Sequence, residues 1–92
     1  ENEDIVAFRD SGPQAPTHVL VVPRRHVSGI TALPANDPIW NELLGVVQAV
    51  VRAEHLDGGF RVVMNHGADG GQTVDHLHLH VLGGRVLAWP PG

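Results

Sequence analysis

Three of the chain's seven histidines stand at alternate positions in Asp75-His76-Leu77-His78-Leu79-His80-Val81-Leu82. A β-strand turns every second side chain to the same face, with residues i and i+2 ~6.5–7 Å apart. Read as a strand, this segment sets His76, His78 and His80 on one face and Leu77, Leu79 and Val81 on the other. The second face is built for a core. The first is a row of imidazoles, the side chains whose unperturbed pKa lies nearest neutrality. Such a row suits three readings. It is a metal site, since neutral imidazole ligates zinc or copper. It performs phosphorus or acyl chemistry, with one histidine as nucleophile and its neighbours as acid or hydrogen-bond donors. Or it is a strand face that happens to be rich in histidine.

The residues just upstream favour the second reading. Asn65-His66-Gly67-Ala68-Asp69-Gly70-Gly71-Gln72-Thr73 is a glycine-rich stretch ending in a hydroxyl residue. Backbone of this kind turns its N–H groups toward one point and makes an anion-binding concavity. A metal site gains nothing from it and would ordinarily draw on cysteine, of which the chain has none. His78, in the middle of the row, is the candidate nucleophile. A neutral imidazole attacks phosphorus without first losing a proton, and the labile adduct splits one hard step into two.

These residues resemble the histidine-triad (HIT) family, in its Hint branch of nucleotide-binding proteins. The alternating run His76-Leu77-His78-Leu79-His80-Val81-Leu82 carries the resemblance. So do Ser11-Gly12-Pro13-Gln14-Ala15-Pro16-Thr17-His18, Val22-Pro23-Arg24-Arg25-His26, Asp69-Gly70-Gly71-Gln72, Leu82-Gly83-Gly84-Arg85 and the terminal Trp89-Pro90-Pro91-Gly92, in order. The resemblance implies a purine nucleoside phosphoramidase. Such an enzyme hydrolyses the P–N bond of substrates such as adenosine 5′-monophosphoramidate through a nucleotidyl-His78 intermediate, without metal or cofactor. It implies that His80 contacts the phosphate, and that His76 and His18 orient the nucleophile from behind. Asn65, Gly71, Gln72, Thr73 and Val74 would surround the phosphate and leaving group, Asp10 would accept from the ribose hydroxyls, and Phe8 and Leu20 would form part of the base pocket. It implies a homodimer with a sheet continued across the two-fold, in which the helix face and the Phe60–Met64 strand form the interface and Trp89 lies near the partner's site. Thr73 stands where relatives usually have serine. Arg9 and Ser11 stand where they often have a histidine and an apolar residue, which makes the base pocket more polar; His66 and Asp75 are further departures. Competing activities are dinucleoside polyphosphate hydrolysis, nucleotidyl transfer, a nucleotide-binding regulatory partner protein, or a metal-binding protein.

The elements that must position these groups follow from pattern. Ninety-two residues with 42% hydrophobic content make one small domain, 1–92. The resemblance implies an N-terminal helix and strand ahead of Glu1. Ile5-Val6-Ala7-Phe8 reads as a strand, residues 10–16 as a loop, and Val19-Leu20-Val21-Val22 as a buried strand ended by Pro23. Asn36-Asp37-Pro38 starts a helix, Ile39, Leu43, Val46, Val47 and Val50 share its apolar face, and Asp57-Gly58-Gly59 stops it near Leu56. Phe60 to Asn65 is a strand expected to pair antiparallel with the histidine strand. The fold class is α+β, an antiparallel meander sheet with a packed helix. His26, His55 and His66 read as structural or surface positions. A net charge of −4 argues against a general nucleic-acid binder. No stretch approaches the ~20 apolar residues of a membrane span, and no export signal is visible, which favours the cytoplasm.

Overall fold

Apolar side chains at alternate positions of three short strands, and at helical spacing on one helix, meet in a single core. The structure is a computed structural model, and it describes residues 3–92. Glu1 and Asn2, which open the expected domain, lie outside the described residues. Strands β1 (Ile5–Arg9), β2 (Thr17–Pro23), β3 (Phe60–Val63) and β4 (Leu79–Gly83) form one antiparallel sheet in the order β1-β2-β4-β3. Helix α1 (Ile39–Ala53) packs on one face of it. Ile5, Val19, Val21, Leu79 and Val81 point from the sheet toward Ile39, Leu43, Val46 and Val47, with Leu77, Val27, Leu33 and Leu56 closing the sides. Each fully buried leucine or valine here contributes roughly 1.5–3 kcal/mol of transfer free energy. The α+β class, with an antiparallel sheet and a packed helix, is therefore observed; the sheet is not a simple meander, because the chain crosses over through α1 between β2 and β3 and β2 adjoins β4.

The helix starts where the sequence reading places it. The Asp37 carboxylate accepts the Ile39 N–H at 2.9 Å and takes Arg25 at 3.1 Å. Those contacts, the Ile39 bond first, hold its carboxyl below the ordinary aspartate value. The helix ends at Ala53, three residues before the expected stop. His55 adopts φ +56, its N–H bonds Arg52 O, and the Leu56 N–H reaches back to Val51 O. That pair of bonds is a Schellman cap with histidine in the left-handed position usually held by glycine. Beside it, the Arg9 guanidinium grips both Glu54 carboxylate oxygens at 2.8 Å, tying β1 to the helix end.

The strands also differ at their ends. β2 runs from Thr17, two residues earlier than its apolar core, and β3 stops at Val63. β4 begins only at Leu79, so His76 and His78 precede the strand. Val21 pairs with Leu79, which would set Pro23 opposite Leu77. Pro23 has no N–H to offer, and its carbonyl is taken at 2.7 Å by the His76 ring. The ladder cannot continue, and the Leu77 N–H bonds Val27 O instead.

Candidate active site

The face of the sheet away from the helix carries the chemistry. Register sets Phe8, Leu20, His80 and Val63 in one row across all four strands. The next row holds His18, Leu82 and Arg61. Asp10 adjoins it, its N–H bonded to His18 O at 2.9 Å.

Hydrogen bonds fix where each imidazole carries its proton. His78 Nδ1 lies 2.7 Å from the His76 carbonyl. A carbonyl only accepts, so Nδ1 holds the proton and Nε2 keeps a free lone pair. His18 is buried, and its Nδ1 accepts the Gln14 N–H at 3.0 Å. Its proton is then on Nε2, which donates to His80 Nδ1 at 2.9 Å. His80 in turn is protonated on Nε2, a buried donor with no acceptor among the described residues. Burial, then the neighbouring His78 and His18, hold His80 below the ordinary histidine value of 6.5, with Asp10 opposing. The His80 ring stands edge-on to His78 with centroids 5.0 Å apart. The structure thus brings His78, His80, His18 and Asp10 together, with Phe8 and Leu20 in the same sheet row.

Two expected contacts run differently. His18 reaches His80, not the nucleophile. The His76 ring faces away, donating to Pro23 O and stacking on His26 at 5.4 Å. What orients His78 is the backbone carbonyl of His76. His26 therefore supports the triad segment, which its place in Arg24-Arg25-His26 did not announce.

The glycine-rich loop closes on itself. Gly70 and Gly71 N–H groups bond Gly67 O and Ala68 O at 3.1 Å, and Gln72 N–H bonds Gly67 O at 3.0 Å. At Gly70 a Cβ would lie 2.3 Å from His66 O, so only glycine fits. The Gln72 side chain is fully engaged: its oxygen accepts Gly67 N–H at 2.9 Å, and its amide nitrogen donates to Ser28 O and Val74 O at 2.8 and 3.0 Å. The Thr73 and Val74 amides have no acceptor among the described residues. The Asn65 side chain has no hydrogen bond there either, and Trp89 is 80% exposed on the tail.

Asp10, His18 and His80 offer ligand atoms within 4.8 Å of one another. Their donor types suit a metal ion. An ion held there would displace the proton between His18 and His80, because both ring nitrogens must be unprotonated to ligate it.

A family description of the HIT domain matches residues 1–87. The chain belongs to the HIT domain family. Among similar proteins is an uncharacterised HIT-like protein of Synechococcus elongatus, 47% identical over the whole of this chain and 82% of its own. A 14 kDa zinc-binding protein of Zea mays is 46% identical over the whole chain and 74% of its own. A crystal structure of a HIT family hydrolase from Legionella pneumophila superposes with a TM-score of 0.95 at 44% identity, covering all of this chain and 84% of that one. A histidine triad protein from Clostridium difficile gives 0.90 at 39% identity, over 96% of this HIT domain and 78% of its own chain.

Proposed function

We propose that this HIT domain is a nucleotide-binding hydrolase, and specifically a purine nucleoside phosphoramidase with His78 as its nucleophile. The observation that carries the reading is the 2.7 Å bond from His78 Nδ1 to the His76 carbonyl, which leaves Nε2 unprotonated and available. Nε2 attacks phosphorus, a P–N(His) bond forms, and the substrate's P–N bond breaks. The departing amine takes up a proton from solvent. Water then attacks phosphorus, the P–N(His) bond breaks, the proton lost by that water goes to solvent, and His78 and the nucleoside monophosphate are freed. His80 Nε2–H and the Thr73 and Val74 amides supply donors to phosphate oxygens, where charge must be stabilised. Gln72 holds the loop in shape, and Gly71 contributes its turn. Asn65 donates toward the leaving group. Asp10, whose Oδ1 is already fixed by the Gly12 N–H at 2.7 Å, accepts from the ribose with its other oxygen. Phe8 and Leu20, one row along from His80, seat the purine.

The likeness to the Legionella hydrolase and the Clostridium histidine triad protein supports hydrolase and histidine-triad chemistry for this chain. The maize protein's name raises zinc; Asp10, His18 and His80 are the residues that would hold such an ion, in competition with the His18–His80 proton. The test is His78→Ala against adenosine 5′-monophosphoramidate. Turnover is expected to fall by at least ~10⁴-fold, as for loss of a covalent nucleophile, while AMP still binds. Near-normal turnover by that variant contradicts the proposal.

A further inference from the structure

We propose that Arg85 is a positioning residue for the triad, acting through the Gln14 backbone on His18 and through His18 on His80. The inference deepens the catalytic reading above and rests on it only for its kinetic consequence.

The hydrogen-bonding sense of the triad is set at one atom. A neutral imidazole carries one proton, and the Gln14 N–H can only donate. It therefore makes His18 Nδ1 an acceptor, His18 Nε2–H a donor, and His80 Nδ1 an acceptor. His80 is left with its proton on Nε2, the buried donor that lacks an acceptor. If the Gln14 N–H turned away, His18 would be free to carry its proton on either nitrogen. His80 could then adopt the opposite tautomer, and the donor would be lost.

Little else holds Gln14. It lies in an exposed loop between β1 and β2, outside the sheet ladder. Its side chain donates to Gly12 O at 3.0 Å, a contact within the same loop. Besides its own N–H bond to His18, Gln14 is tied to the rest of the fold by Arg85, whose Nη2 donates to Gln14 O, on the following peptide, at 2.9 Å while Nη1 donates to Val86 O at 3.0 Å. Arg85 reaches the loop because the chain turns sharply after β4. Gly84 has φ +89, and a Cβ there would sit 2.9 Å from Pro16 Cβ. The turn lies against the loop with no room for a side chain. The segment that bears His80 thus carries, five residues on and just past the end of β4, the group that helps orient its hydrogen-bond partner. The Arg85 contact is exposed and competes with water, so its loss weakens the relay without abolishing it.

The test uses Arg85→Gln and Arg85→Lys in the full chain. Long-range ¹H–¹⁵N NMR reads the imidazole tautomers at neutral pH. The wild-type protein is expected to hold His18 and His80 as Nε2–H. Arg85→Gln is expected to show His18 and His80 averaging between tautomers, with kcat on the phosphoramidate down about tenfold and KM unchanged. Arg85→Lys, which still donates to one carbonyl, should restore part of both. A wild-type His18 protonated on Nδ1 overturns the proposal, as does an Arg85→Gln variant with wild-type tautomers. If Arg85→Gln does not fold, the wild-type spectrum and Arg85→Lys decide. The tautomers are read without turnover. An inactive wild-type protein with the expected tautomers would therefore sink the phosphoramidase reading and leave the relay standing.

Discussion

At the scale of single residues, three imidazoles of one short segment end up with three different tasks because each meets a different backbone group. His78 donates a hydrogen bond to a carbonyl and keeps a lone pair. His76 gives its proton to Pro23 and braces the segment. His80 accepts from His18 and is left as a donor. His80 also has the perturbed pKa, lowered first by desolvation. The sign follows. An unfolded histidine titrates near 6.5, and the folded one below that, so the unfolded chain binds the extra proton first as pH falls. The contribution to stability is complete above 6.5 and is lost as pH drops through the lowered folded value. An NMR titration of the His80 ring is expected to give a midpoint below 6.5, with denaturation midpoints that decline over the same window. A midpoint above 6.5 contradicts the burial account.

At the scale of elements, much was legible because pattern and propensity agreed. The apolar face of α1, its Asp37 start, and the antiparallel pairing of β3 with the histidine strand all read directly from residue spacing. The ends did not. Asp57-Gly58-Gly59 is the obvious helix stop, yet the chain turns earlier, at a histidine in the left-handed conformation that glycine adopts at less cost. The prediction at this scale is that His55→Gly stabilises the fold by about 1 kcal/mol, because glycine adopts that φ without a Cβ penalty. Thermal melting checks it; a lower melting temperature would mean the histidine ring makes contacts worth more than the strain. Strict alternation of exposure also persists through His76 and His78, although neither belongs to β4. The periodicity was readable from sequence. The loss of the ladder was not, since it depends on which carbonyl Pro23 turns toward the histidines. In the candidate site, the residue types could be read but not their proton positions, because Gln14 and His76 act through backbone atoms.

At the scale of the whole molecule, the sheet has an unfinished edge. β3 lies at the end of the strand order, and Phe60 and Val62 on it are 47% and 40% exposed. Leu44 on α1, 56% exposed, adds to the apolar surface. A bare edge strand with apolar side chains invites pairing. We propose that a second copy covers it, extending the sheet and placing the exposed Trp89 tail beside the neighbouring site. Arg61 supports that tail, donating to Ala88 O at 2.9 Å. Light scattering on the eluting protein is expected to give a two-chain mass for the wild type and a one-chain mass for Val62→Lys. A monomeric wild type contradicts the pairing. No described helix is long and apolar enough to cross a membrane.

The whole account turns on whether His78 forms a bond to phosphorus. Protein quenched in acid-free denaturant during turnover of adenosine 5′-monophosphoramidate, then digested and weighed by mass spectrometry, answers that directly. The account predicts an adenylyl adduct on the peptide carrying His78, absent from His78→Ala. Sustained turnover with that peptide unmodified, or with the adduct on another residue, would contradict it.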